Sequence, residues 1–174
     1  TEQPPLLRKH DHYQIDFETG ETLILNDPRR FGSVLLASPL IEKPNPPPCA
    51  LKDITPPLLA SLCQQTDRPI KSLLLDQNKL SGLGNIYACE ALFLAKIPPK
   101  HPANTLSKKE IRALCFSIKM TLKKAIYYGG TSLRDFRHPD QKLGYFQNHL
   151  WVYNQEGQPC RYRPCTELIT REKQ

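Results

Sequence analysis

Two glycines one residue apart, Gly82 and Gly84, interrupt an apolar stretch running from Ile70 to Phe93. No single helix or strand runs through such a pair, because glycines accept the positive φ angles of a tight turn. Before them, Leu73, Leu74 and Leu75 form an apolar run at the centre of a short helix, which Ser81-Gly82-Leu83-Gly84 is expected to stop. After them, Ile86, Cys89 and Phe93 recur at helical spacing, with Asn85 as the expected N-cap. The stretch reads as two helices hinged by a glycine turn. A helix opening there presents free backbone N–H groups and a partial positive charge, which suit an anion. A DNA phosphate is one candidate, and Lys71 adds a side-chain charge. A helical hairpin packed in a core, with an ordinary Asn cap, fits the same spacing.

Charge narrows the partner. The 174 residues carry a net +7, unevenly spread. Residues 96–142 hold eleven basic and three acidic side chains, whereas residues 1–95 hold nine and eleven. A clustered basic segment suits a polyanion, although lysines on solvated helix faces give the same count. The six cysteines do not form a disulfide framework. Cys63, Cys89 and Cys115 fall among apolar residues of expected helices and read as small buried hydrophobes, which points to a reducing, intracellular compartment. No apolar run reaches the length of a membrane span, and no signal peptide is visible.

In chain order, His12 to Phe17 alternates, with Tyr13, Ile15 and Phe17 on one face, and Thr22 to Leu25 is its hairpin partner across Glu18–Glu21. The Asp27-Pro28-Arg29-Arg30-Phe31-Gly32 loop follows. An Arg beside a ring on a rigid loop is what opening a duplex requires: the ring wedges between bases and the guanidinium reads a base edge. An ion pair to Asp27 with Phe31 in a core fits equally. Ser33 to Ala37 is a third expected strand. Pro39 to Pro57 contains seven prolines and reads as a stiff linker. Thr55 caps the next helix, with Pro56 at its first position and Leu58, Leu59 and Leu62 as its stripe. Ser107-Lys108-Lys109-Glu110 is a capping box opening the longest helix. Its core stripe is Ile111, Leu114, Cys115, Ile118, Leu122, Ala125 and Ile126, and Lys109, Arg112, Lys119, Lys123 and Lys124 lie off it on an expected wet face. Gly129-Gly130 ends it. A polar loop with Arg134 follows, then an expected strand through Trp151, Val152 and Tyr153, and a turn at Asn154–Gly157.

Several of these segments together resemble one family. Lys71, Leu75-Asp76-Gln77, Gly82-Leu83-Gly84-Asn85-Ile86-Tyr87 and Glu90-Ala91-Leu92-Phe93 resemble the helix–two-turn–helix motif of the formamidopyrimidine-DNA glycosylase and endonuclease VIII-like family. His10-Asp11-His12, Asp27–Gly32, Gly129-Gly130-Thr131, Gly144-Tyr145-Phe146-Gln147 and Val152-Tyr153 match in the same order, from Lys9 to about Cys160. The resemblance implies an α+β fold. The C-terminal strands of a β-sandwich would occupy residues 1–38, with a linker at 39–57. A helix–two-turn–helix DNA-binding domain at 58–142 and a partial zinc-finger hairpin at 143–174 would follow.

The resemblance also implies roles. Its partner is double-stranded DNA, damaged or abasic, bound by a monomeric, cytoplasmic protein. His10, Arg30, Lys71, Asn85 and Tyr87 are expected at the DNA, with Arg29 facing the base left unpaired and Phe31 as the wedge. Arg134 is expected in the loop that closes over the flipped base. The family's nucleophile is the amine of an N-terminal proline next to a glutamate, forming a Schiff base before strand cleavage. Thr1-Glu2-Gln3-Pro4 does not match that pair, so no catalytic residue is assigned and the chain reads as a fragment. The complete family member holds one structural zinc on four cysteines. Here only Cys160 and Cys165 correspond, spaced by four residues rather than two, so metal binding by this chain is not expected. Oxidised purines are the expected substrates. A non-catalytic DNA-binding module, or an enzyme for oxidised pyrimidines, remains the alternative.

Overall fold

The structure, a computed structural model, describes residues 8–28, 30, 32, 34, 46–131, 145–162 and 164–171. The chain divides into two compact units, Thr1–Pro44 and Asn45–Gln174.

In the first unit, β1 (Asp11–Asp16) pairs antiparallel with β2 (Thr22–Asn26), as the alternation predicts. Tyr13 stands opposite Leu25 and Ile15 opposite Leu23, which gathers these apolar side chains on one face. Tyr13, Ile15 and Leu23 are exposed, because two strands alone offer no second layer. Asp11 and Tyr13 flank a register irregularity at His12, whose Nε2 makes a 2.9 Å hydrogen bond with the Asp27 carbonyl. The expected third strand lies mostly outside the described residues.

The second unit is helical. Thr55 caps α1 (Pro56–Gln64), its Oγ1 accepting from the Leu58 amide at 3.4 Å. α2 (Ile70–Leu75), α3 (Asn85–Ala95) and α4 (Lys108–Tyr127) follow. The capping box at Ser107 is formed in both directions. Ile54, Leu59, Ile70, Leu74, Leu80, Leu83, Leu92, Leu114 and Ile118 are the fully buried centre of one core. A smaller cluster of Ala125, Phe146 and Leu150 sits beside it, with Tyr87 packed against both.

Four expectations change. The described part of the expected linker is not a linker: Ala50 and Ile54 are fully buried, and the Ala50 amide donates to the Ser81 carbonyl at 2.9 Å. α2 ends at Leu75 rather than at the glycines, since Asp76 is extended (ψ 95°) and its carbonyl accepts from the Lys79 and Leu80 amides in a separate turn. The expected strand through Trp151–Tyr153 is a 3-10 turn, Phe146–His149, and an irregular segment. The amides of Trp151, Val152 and Tyr153 donate to a buried side chain instead of to a neighbouring strand. Finally, Ile126 is exposed rather than core, and Phe116, Met120 and Tyr127 stand on the face of α4 expected to be wet.

Candidate nucleic-acid interface

Lys71 and Asn85 open on one cleft of about 910 Å³. Cys89 and Lys96 line it with them from the helical side, and Val152, Tyr153, Asn154, Tyr162 and Arg171 line it from the later segment. Lys71, Lys96 and Arg171 against the one carboxylate of Glu156 give the cleft a positive balance that favours an anion.

The helix start in this cleft differs from expectation by one residue. Gly84, not Asn85, is the extended N-cap (φ −94°, ψ 172°), and its carbonyl accepts the Ala88 amide at 2.9 Å. Asn85 is the first helical residue, and its Oδ1 faces the Cys89 thiol at 3.8 Å. Glycine has no side-chain oxygen, so no side chain caps this end. The turn leading into it is braced by Gln77, whose Oε1 accepts from Gly82 N (3.0 Å) while its Nε2 donates to the Leu83 carbonyl (2.9 Å).

Glu90, one per cent exposed, ties the two sides of the cleft together. Its carboxylate accepts from three successive amides, Trp151 at 2.7 Å, Val152 at 3.0 Å and Tyr153 at 2.8 Å. Lys96, left-handed at the end of α3 (φ 59°), adds a second tie by donating to the Tyr162 hydroxyl with its Nζ 4.2 Å from the ring centre. Sequence reasoning assigned no role to Glu90. The available signal was a lone carboxylate flanked by Ala88, Ala91 and Leu92, which demands partners when buried.

The remaining expected residues fall elsewhere. Tyr87 does not line the cleft: its ring packs on Phe146 (centroids 5.7 Å apart) and its hydroxyl meets Thr131 Oγ1 at 3.2 Å. His10 and Arg30 belong to the first unit, both left-handed (φ 78° and 56°). The His10 carbonyl accepts the Asp27 amide, the Arg30 amide donates to the Asp27 carbonyl, and Asp27 Oδ2 closes the loop by accepting from Gly32 N at 2.6 Å. A Cβ at Gly32 would lie 3.0 Å from that oxygen, so a side chain there would press on the Asp27 carboxylate. Arg29, Phe31 and Arg134 lie outside the described residues.

Gly157 N donates to the Ile169 carbonyl and Cys160 N to the Glu167 carbonyl, both at 2.9 Å, so residues 157–160 lie against residues 167–169. Cys160 is half-buried and Cys165 exposed, and no three His, Cys, Asp or Glu side chains converge among the described residues. Two thiols do not fit the four-ligand zinc site that the resemblance implies. Among the described residues, no helix is long and apolar enough to cross a membrane.

Residues 45–137 match the model of the formamidopyrimidine-DNA glycosylase H2TH domain. The chain belongs to the formamidopyrimidine-DNA glycosylase family. The match begins where the second compact unit begins, at residue 45. The formamidopyrimidine-DNA glycosylase of Ruegeria sp. strain TM1040 is 41% identical over 174 residues, covering 96% of this chain and 61% of the relative. The crystal structure of the MutM (Fpg) protein from Thermus thermophilus superposes with a TM-score of 0.83 at 35% identity, over 95% of this chain and 64% of that one. Lactococcus lactis Fpg in complex with DNA containing an abasic site gives a TM-score of 0.65 at 36% identity, over 73% of this chain and 46% of that one. The chain therefore spans about three-fifths of the length of the curated relatives it matches.

Proposed function

We propose that this chain is the DNA-clamping and lesion-opening part of a base-excision-repair glycosylase and abasic-site lyase for oxidised purines. One observation carries the reading: Lys71 and the start of α3, which no side chain caps, open on the same positive cleft. A phosphate there meets a lysine charge and backbone donors together. Such contacts fix the position of a duplex without reading its sequence. In this reading His10 and Arg30 hold further phosphates, Arg29 and Phe31 hold open the step left by the flipped base, and Arg134 belongs to the closing loop. Tyr87 acts by supporting α3 and not by touching DNA. The protein works as a cytoplasmic monomer. The 174-residue chain binds damaged or abasic duplex.

Asn85→Asp separates an anion site from an ordinary helix end. An acidic residue in the first turn stabilises a helix by about 0.3–1 kcal/mol. The same charge repels a phosphate. The variant is therefore expected to melt at or above the wild-type temperature while its affinity for an abasic-analogue duplex falls. Unchanged affinity, measured by fluorescence anisotropy at low salt, would sink the reading.

A further inference from the structure

On a face of the helical unit that the DNA cleft does not use, Leu94, Met120, Thr121, Phe146 and Trp151 line a second, mostly apolar cavity of about 190 Å³. Small-molecule pockets run to roughly 300–1,000 Å³, so this one suits a single large apolar side chain rather than a metabolite. Thr121 also lines the cavity, although it is only 3% exposed and its Oγ1 is buried without a hydrogen-bond partner. Lys124 stands on the rim, with Lys123 beside it on the outward side of α4. Glu90 also lines the cavity, its carboxylate turned onto the amides of Trp151, Val152 and Tyr153.

The surface leading to the cavity is apolar and basic together. Phe116, Met120 and Tyr127, spaced by four and seven residues, share one exposed stripe at 67%, 48% and 82% exposure. Lys123 and Arg112 fall on the same side of the helix and are exposed. Isolated exposed apolar residues need no explanation, but a stripe of three rimmed by cations marks a place where a partner docks. The charge selects the partner.

We propose that this face binds an acidic peptide segment of another protein, with one large apolar side chain seated in the cavity and its carboxylates paired with Lys123 and Lys124. A buried anchor in a pocket with a charged rim is the arrangement that concentrates binding energy in peptide recognition.

The test uses the 174-residue chain and a fluorescein-labelled decapeptide with three aspartates followed by Leu-Phe. Saturable binding is expected at low salt, weakened about tenfold by either Met120→Glu or Lys124→Glu. Melting temperatures show that each variant remains folded, and Lys124→Glu, at an exposed position, keeps the test alive should Met120→Glu unfold. Alanine in place of the peptide's phenylalanine abolishes binding, and excess abasic-analogue duplex leaves the peptide bound. Absence of saturable binding overturns the proposal, as does equal binding of a peptide with lysines for aspartates or wild-type affinity in Lys124→Glu. Displacement by the duplex overturns it as well, by giving the face to nucleic acid.

Discussion

Replacing Glu90 by Gln tests whether the carboxylate that joins α3 to residues 151–153 sets both stability and the cleft. The carboxylate accepts through both oxygens, Oε2 from Trp151 and Oε1 from Val152 and Tyr153. An amide keeps only one acceptor atom. With its oxygen at the Oε1 position it retains two bonds, now without charge assistance, and turns an NH2 toward the Trp151 amide. Hydrogen bonds to charged groups contribute about 1.5–3 kcal/mol, and a buried donor left unpaired costs about 1–3 kcal/mol. The expected loss is about 2–4 kcal/mol, because relaxation at the irregular 151–153 segment recovers part of the sum. Urea unfolding measures it directly. Val152, Tyr153 and Asn154 line the cleft across from Asn85, so the same change is expected to weaken duplex binding at temperatures where the variant is still folded. A Glu90→Gln variant within about 0.5 kcal/mol of wild type, the range of a neutral surface change, would refute the reasoning.

Duplex affinity is expected to fall steeply with salt, with a log–log slope of about −3 to −4 for four phosphate contacts at Lys71, the α3 start, His10 and Arg30; a flat series removes those contacts. The Arg68 guanidinium, 3.1 Å from Asp76, and then the Asn78 amide hold the Asp76 carboxyl below its ordinary 3.8. A depressed folded value stabilises the fold above the ordinary value and is lost as pH falls through the lower one, so the melting difference between wild type and Asp76→Asn is expected at pH 7 and closes in acid. Burial pushes the Cys63 thiol up to about 11 and raises Cys115 too, so at pH 8 a thiol reagent is expected to consume exposed Cys165 long before either, and equal rates would contradict their burial.

What the sequence made legible was whatever local chemistry decides. Thr55-Pro56 and Ser107–Glu110 specify their helix starts with side chains within three residues, and both caps form. Alternation specifies the β1–β2 hairpin in the same way. What remained hidden depends on partners far along the chain. The Trp151–Tyr153 segment has strand-forming residues, yet its amides are claimed by Glu90, about sixty positions earlier. Prolines at 46–48 read as linker, yet Pro48 accepts the Ser81 amide at 2.9 Å and carries Ala50 and Ile54 into the core. Composition alone likewise made the outer face of α4 basic, and only exposure shows Phe116, Met120 and Tyr127 standing among the charges.

The two short helices of the hairpin show why one residue matters at the candidate site. α2 and α3 both begin without a side-chain cap. At α2 the fold supplies the missing acceptors, since Ile70 N donates to the His101 carbonyl at 2.8 Å and Lys71 N to the Pro99 carbonyl at 3.2 Å. Its dipole is thereby used up inside the unit, while the Lys71 side chain remains on the cleft. At α3 an Asn at the cap position would have turned its own oxygen onto the second or third amide of the helix. Asn85 instead lies one residue inside, and Gly84 takes the extended position with nothing to offer those amides. Gln77 fixes this choice from the other side of the turn by holding Gly82 and Leu83. The same Gly-Asn pair therefore yields either a self-capped helix or one whose first amides no side chain caps, according to which of its two residues is the last extended one, and the brace from Gln77 holds the second arrangement.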